Sequence, residues 1–150
     1  MLAIGDSVML GAAPNLAEAG YIVDAAVSRQ MIDYVPVLQG AAGRDQIPDV
    51  VVVHLGTNGR FSTDTMHAFF DALVSADLVV VLTVHADRGY TAHNNELIMT
   101  LPDRYSNVRI IDWNALVDQC EGNCLYDDGI HLPPAGRRYY AQLIFDVVDP

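Results

Sequence analysis

The sequence contains no lysine, and all eight of its basic residues are arginine. Two chemistries are thereby excluded: no side-chain amine can form a Schiff base, and no P-loop lysine can hold a nucleotide phosphate. No G-x-G-x-x-G run occurs, so a nucleotide- or flavin-binding protein has no sequence support. Positive charge is scarce overall. The formal net charge is −11 over 150 residues, and so acidic a surface repels phosphate backbones, which argues against nucleic acid as a partner. Long apolar runs are missing too. The most apolar stretch, Leu73–Val84, is interrupted by Ser75 and Asp77 and falls short of the roughly 18 residues of a membrane span. Cysteine is limited to Cys120 and Cys124. A lone C-x-x-x-C pair has too few ligands for zinc, and no His/Cys/carboxylate cluster argues for another metal or a cofactor. Gly122 lies between the two cysteines. They either close a local disulfide or stand as two thiols. The N-terminus carries no signal peptide. Leu2-Ala3-Ile4 already reads as a core strand, so the expectation is a domain excised from a longer membrane-anchored chain.

What is present is a core. Apolar residues make up 51% of the chain and charged residues 18%, a balance that excludes disorder and suits one domain. Strands are predicted at Met1–Ile4, Tyr21–Ala26, Asp49–Leu55 (with four valines in a row), Leu78–Val84 and Val108–Ile111. Helical segments separate them. One follows Ser7, with Pro14 marking a break or a new start, and ends at Gly20. Others cover Ile32–Ala42, Ser62 or Thr63 to about Ser75, Asn94 to about Tyr105, Trp113–Asp118 and Pro133–Val148. His85–His93 reads as a polar loop. Fully apolar strands alternating with helices imply a parallel sheet covered on both faces. The expected fold is a three-layer α/β/α sandwich with a five-stranded, doubly wound, flavodoxin-like sheet, monomeric as an isolated domain. In such sheets ligands sit beyond the carboxyl ends of the strands.

Three polar clusters fall where that rule would put a site. Gly5-Asp6-Ser7 follows the first strand. A serine at a strand-to-helix turn can expose its hydroxyl beside helix N–H groups that would stabilise an oxyanion, or it can simply cap the helix. Gly56-Thr57-Asn58-Gly59 closes the best strand. Its glycines allow a sharp turn and its Asn amide can donate to developing negative charge, although an ordinary Asn-Gly turn has the same sequence. Asp128-Gly129-Ile130-His131 precedes the last helix. An Asp three residues before a His can orient the imidazole so that its other nitrogen serves as general base, and a polar loop with a surface His reads the same way. Together the three supply nucleophile, base, orienter and oxyanion donor, the inventory of covalent acyl transfer.

The order GDS, GTN and DxxH resembles the SGNH (GDSL-like) hydrolase superfamily, from Gly5 to Gly136. Four segments narrow the likeness: Ala3–Gly11, Val27-Ser28-Arg29-Gln30, His54–Gly59 and Asp127–Leu132, with Asp112-Trp113 in addition. They are similar to the extracytoplasmic SGNH domain fused to bacterial membrane acyltransferases, including peptidoglycan O-acetyltransferases. The resemblance implies that Ser7 attacks the acyl carbonyl, His131 shuttles the proton and Asp128 holds the His131 tautomer. The Ser7 N–H and the Asn58 side chain would form two parts of the oxyanion hole. The superfamily usually adds a Gly N–H from its second block. Here Ser28 is the positional match. The resemblance also implies an extracytoplasmic location, a Cys120–Cys124 disulfide, a carbohydrate-type acceptor and a membrane acyltransferase domain in the parent chain that delivers the acyl group.

Weaker features surround this set. Asp127 competes with Asp128, and the three-residue spacing favours the latter. His54, at the end of a buried strand, reads as a satisfied core histidine or as one that supports the site residues from behind. Gly56, Arg88 and Tyr90 are candidate substrate contacts, with the His85–His93 loop bordering the acceptor or merely solvated. His67 lies within a predicted helix and carries no case. Arg137 and Arg138 are expected to face solvent, and Tyr139-Tyr140 to pack. The leading expectation is O-acetyl transfer to a cell-surface glycan or glycolipid, with weak esterase activity in isolation. The alternatives are a carbohydrate esterase, deacetylase or lipase-like esterase, and a non-catalytic glycan-binding domain on the same fold.

Overall fold

The computed structural model describes residues 1–149. Five strands form one sheet: β1 (Leu2–Gly5), β2 (Ile22–Ala25), β3 (Val50–His54), β4 (Leu78–Leu82) and β5 (Val108–Ile111). All pair in parallel, in the order β2-β1-β3-β4-β5. This is the flavodoxin-like winding, whose strand order reverses between β1 and β3.

Alternation along each strand feeds two cores. Val51, Val53, Val79 and Val81 pack with Ile4 beneath α3 (Met31–Ala42), α4 (Thr63–Asp71), α5 (Thr91–Met99) and α6 (Leu101–Arg104). Ala3, Val52, Val80 and Leu82 face the opposite layer, built from α1 (Ser7–Gly11), α2 (Ala13–Glu18), α7 (Trp113–Leu116) and α8 (Pro134–Val148). Burial on both faces is why these strands read as continuous valine runs rather than alternating patterns.

Several boundaries differ from the sequence expectation, each for a local reason. The helix after Ser7 is two helices, and Pro14 sits in the first turn of the second, where its missing N–H costs nothing. The helix from Ser62 stops at Asp71, and a turn carries the chain to β4. The helix expected from Asn94 starts three residues earlier, at Thr91, so His93 is helical rather than in a loop. It then breaks at Thr100, after which α6 starts at Leu101 with Pro102 in its first turn. A 3-10 turn, Val117–Gln119, extends α7.

Candidate active site

The carboxyl ends of β1 and β3 lie side by side, with Gly5 opposite His54. Beyond Gly5 the chain turns at once into α1. Asp6 caps that helix in extended conformation, and its Oδ1 accepts the Val8 N–H at 3.0 Å. The Asp6 N–H donates to the His54 carbonyl at 3.2 Å, tying the turn to β3. Gly5 is required there because a Cβ would overlap the Met9 side chain. The elbow leaves Ser7 as the first helical residue, half-buried, with an N–H that no helical carbonyl can reach.

Ser7 Oγ lies 2.9 Å from His131 Nε2. His131 Nδ1 lies 2.7 Å from Asp128 Oδ2. The other Asp128 oxygen accepts the N–H groups of Ile130 and His131, each at 2.9 Å. The hydrogen bond from His131, together with these two backbone donors, lowers the Asp128 pKa to about 2. Asp128 is therefore a carboxylate at neutral pH, and a carboxylate at Nδ1 selects the tautomer with Nδ1–H and a free lone pair on Nε2. The loop is fixed by backbone bonds from Tyr126 N to the His131 carbonyl at 2.8 Å and from Gly129 N to the Tyr126 carbonyl at 2.9 Å. Asp127 is exposed, and Asp128 makes all of these contacts. The site is open: the side chains of His131 and Asp128 are 44% and 48% exposed.

Asn58 lies in the turn after β3, and its Nδ2 donates to the Arg29 carbonyl at 3.4 Å. This links it to the β2–α3 loop, where Ser28 adopts φ +60°. That left-handed conformation is the one glycine favours, in keeping with the glycine that the SGNH resemblance implies at this position. The Arg29 guanidinium anchors the loop. It bonds the Asp24 carbonyl and carboxylate, the latter at 2.7 Å, and reaches the Gly5 carbonyl at 3.4 Å. Burial raises the Asp24 pKa, but hydrogen bonds from Tyr34 and Arg29 outweigh it and hold the carboxyl below its ordinary value.

Three residues were given no role at the site by the sequence. Asn94, fully buried on α5, donates to the carbonyls of Gly56 at 3.0 Å and Gly59 at 2.9 Å, and accepts the Phe61 N–H at 3.3 Å. It is the clamp on the Asn58 turn. Asp6 is fully buried, with one carboxylate oxygen unpartnered. Tyr140 on α8 meets His54 Nδ1 at 2.9 Å. Of these, only Asp6 stood inside a motif.

The weaker candidates separate. Tyr90 OH donates to the Thr57 carbonyl at 2.9 Å, so the segment before α5 supports the site turn. Arg88 is exposed. Gly56 is buried at φ +126°, where a Cβ would crowd Val84 and Phe61. His54 is buried as expected, with Nδ1 on the Tyr140 hydroxyl at 2.9 Å, while its Nε2 makes no hydrogen bond of good geometry. Arg137 does not simply face solvent, since its Nε donates to the Leu132 carbonyl at 2.8 Å and ties α8 to the His131 loop. Arg138 is exposed. Cys120 and Cys124 form a disulfide, with Cα atoms 6.1 Å apart. Among the described residues, no three His, Cys, Asp or Glu side chains group as metal ligands.

A parallel 2-1-3-4-5 sheet with GDS after β1, GTN after β3 and DxxH before the last helix defines an SGNH-type domain. Within that class the chain is homologous to part of the peptidoglycan O-acetyltransferases. It is 32% identical over 152 residues to peptidoglycan O-acetyltransferase OatA of Listeria monocytogenes, and 32% identical over 156 residues to O-acetyltransferase OatA of Staphylococcus aureus. Each alignment covers 99% of this chain but only about a quarter of the relative, 24% and 25% respectively. No protein-family model matches the chain. Among solved structures, the C-terminal catalytic domain of Streptococcus pneumoniae OatA, bearing a methylsulfonyl adduct, superposes with a TM-score of 0.84 at 21% identity, covering 98% of this chain and 90% of that one. A lipolytic G-D-S-L family protein of Veillonella parvula gives a TM-score of 0.75 at 15% identity, covering 97% of this chain and 96% of that one.

Proposed function

We propose that this domain transfers an acetyl group, through a Ser7 acyl-enzyme, to a hydroxyl of a cell-surface glycan. The observation that carries the reading is the hydrogen-bonded chain Ser7–His131–Asp128, with links of 2.9 and 2.7 Å, standing where the strand order reverses. In the first half-reaction Ser7 Oγ attacks the acyl carbonyl carbon while His131 Nε2 takes the hydroxyl proton. The oxyanion falls toward the Ser7 N–H, the Ser28 N–H and the Asn58 amide. Collapse breaks the bond to the leaving oxygen, and His131 returns the proton to it. In the second half-reaction the acceptor hydroxyl repeats the attack on the acyl-enzyme, giving its proton to His131, which passes it to Ser7 Oγ as the new ester is released. Asp128 holds the imidazole throughout and stabilises its protonated form.

Two further readings accompany this one. The domain belongs outside the cytoplasm, where the Cys120–Cys124 bridge persists. A membrane acyltransferase domain of a longer parent chain supplies the acetyl group, in line with the quarter-length match to the relatives. Water as acceptor would make the same site an esterase. The exposure of His131 favours some hydrolysis in the isolated domain, because nothing there excludes water.

The test is intact mass and peptide mapping after incubation with a serine-directed fluorophosphonate. A single adduct on Ser7, lost in His131→Ala, is expected. A folded protein that stays unlabelled would overturn the reading in favour of a binding domain.

A further inference from the structure

We propose that Arg29 is a positioning residue of the acyl-transfer site: clamped by Asp24 and Tyr34, it holds Ser28 in the left-handed conformation that aims the Ser28 N–H at the oxyanion. The proposal rests on the acyl-transfer reading and adds to it a side chain that touches no reacting atom. Ala26-Val27-Ser28-Arg29 is a four-residue turn after β2, closed by the Arg29 N–H on the Ala26 carbonyl at 3.3 Å. Its third residue is Ser28, at φ +60°. Turns with a left-handed third residue take glycine or asparagine there, because a Cβ makes that backbone unfavourable. Serine in the same place needs a constraint from outside the turn.

The Arg29 side chain supplies that constraint. The Gly5 carbonyl, two residues before Ser7, accepts the Ala26 N–H at 3.2 Å and Arg29 Nη1 at 3.4 Å, so both ends of the turn are tied to the strand that carries the nucleophile. Nη1 also donates to the Asp24 carbonyl, and Nη2 meets Asp24 Oδ1 at 2.7 Å. The other Asp24 oxygen accepts from the Tyr34 hydroxyl at 2.5 Å. Tyr34 is buried on α3, and its ring centre lies 4.8 Å from the guanidinium carbon. The Arg29 side chain is itself only 16% exposed. Three acceptors on two strands and one ring face suit a planar fork and not the point charge of a lysine. On its main-chain side, the Arg29 carbonyl accepts the Asn58 amide at 3.4 Å. One residue thus stands between the two proposed oxyanion donors that lie outside α1. With the clamp released, Ser28 would relax to negative φ and swing its N–H off the oxyanion.

The test asks whether glycine at position 28 makes the clamp dispensable. Turnover of a small activated acetyl ester is measured with and without Arg29→Gln, once with Ser28 in place and once in Ser28→Gly. With Ser28, Arg29→Gln should lower kcat by about 10- to 100-fold and leave KM within about twofold, the effect of a misplaced donor. In Ser28→Gly the same substitution should cost less than about threefold, because glycine enters the left-handed region unaided. An arginine with a merely structural role would cost the same in both backgrounds. Equal losses, or no loss with Ser28, would overturn the proposal. Tyr34→Phe keeps the ring and removes one hydroxyl, and it decides the matter if Arg29→Gln does not fold. It should lower kcat by about two- to fivefold with Ser28 and not in Ser28→Gly, and equal losses would again overturn the proposal. Failure of the acyl-transfer reading shows separately, as absence of fluorophosphonate labelling on wild-type Ser7. The clamp is then read from hydrogen exchange of the residue 29 amide, which Arg29→Gln should speed by about tenfold with Ser28 and much less in Ser28→Gly. The same acceleration in both backgrounds, or none with Ser28, would overturn it.

Discussion

His54 Nδ1 lies 2.9 Å from the Tyr140 hydroxyl, and the two rings stack with centroids 5.6 Å apart. The contact joins β3, which leads into the Asn58 turn, to α8, which follows the His131 loop. Both side chains are closed to solvent, at 1% and 0% exposure. Burial lowers the His54 pKa, with the Asp6 charge and the Thr83 carbonyl opposing only in part. Burial, with the Asp6 charge acting in the same direction, raises that of Tyr140. His54 is therefore neutral in the folded protein. When unfolded it takes up a proton near its ordinary pKa of about 6.5.

A pH dependence of stability follows from that difference. Below about pH 6.5 the unfolded chain binds a proton at this position that the folded chain refuses. The stabilisation is complete above the unfolded value and is lost as pH falls toward the lowered folded one. Urea unfolding should show stability falling from about pH 6.5 downward, by at most about 1.4 kcal/mol per pH unit from this group. The slope should flatten in a folded His54→Gln variant. An unchanged slope would assign the acid sensitivity to other groups.

Tyr140→Phe removes the hydroxyl and leaves His54 Nδ1 buried without a partner. The expected cost is about 1–3 kcal/mol of unfolding free energy, read from the urea midpoint at constant slope. A cost near zero would mean that His54 finds another partner.

How far this site was legible depends on what each residue's role rests on. Ser7, Asp128 and His131 were legible because short local patterns carry them: an elbow after a strand, and a three-residue spacing that lets one Asp oxygen accept backbone N–H groups while the other meets the ring. The strands were legible because a doubly covered sheet writes itself as valine runs. Asn94 was not. It sits on a polar helix start whose first turn carries no strong cap, and its burial exists only because the Gly56–Gly59 carbonyls point at it. The His54–Tyr140 contact spans 86 positions, and no local pattern encodes it. Ser28 was placed by resemblance, and its left-handed backbone emerged only in the structure.

Asn94→Leu should uncouple the turn from α5. The buried Gly56 carbonyl, the half-buried Gly59 carbonyl and the Phe61 N–H lose their partner, a cost of about 1–3 kcal/mol for each group that water cannot reach. If Asn58 acts from that turn, kcat for a small activated ester should fall together with stability. Asn58→Ala removes only the amide donor. It should lower kcat by about 10²- to 10³-fold while leaving the thermal midpoint within a few degrees of wild type. A midpoint drop comparable to that of Asn94→Leu would make Asn58 a structural residue instead.

Asp128→Asn tests the orienter. An Asn amide can still accept the Ile130 and His131 N–H groups through its oxygen, so the loop should keep its shape. Its NH2 group, turned to His131 Nδ1, would favour the tautomer with a proton on Nε2, and that nitrogen could no longer accept the Ser7 proton. Turnover should fall by about 10³- to 10⁴-fold, and fluorophosphonate labelling of Ser7 should slow in parallel. The difference in stability between the two proteins should depend on pH and close in acid. The Asp128 pKa is lowered to about 2, against an unfolded value near 3.9, so its stabilising contribution is full above about pH 4 and disappears as pH falls through about 2. Wild type and Asp128→Asn should therefore differ most at neutral pH and converge below that window. A gap that persisted at pH 2 would mean that the substitution had disturbed packing rather than charge, and the loss of activity could then no longer be assigned to the tautomer.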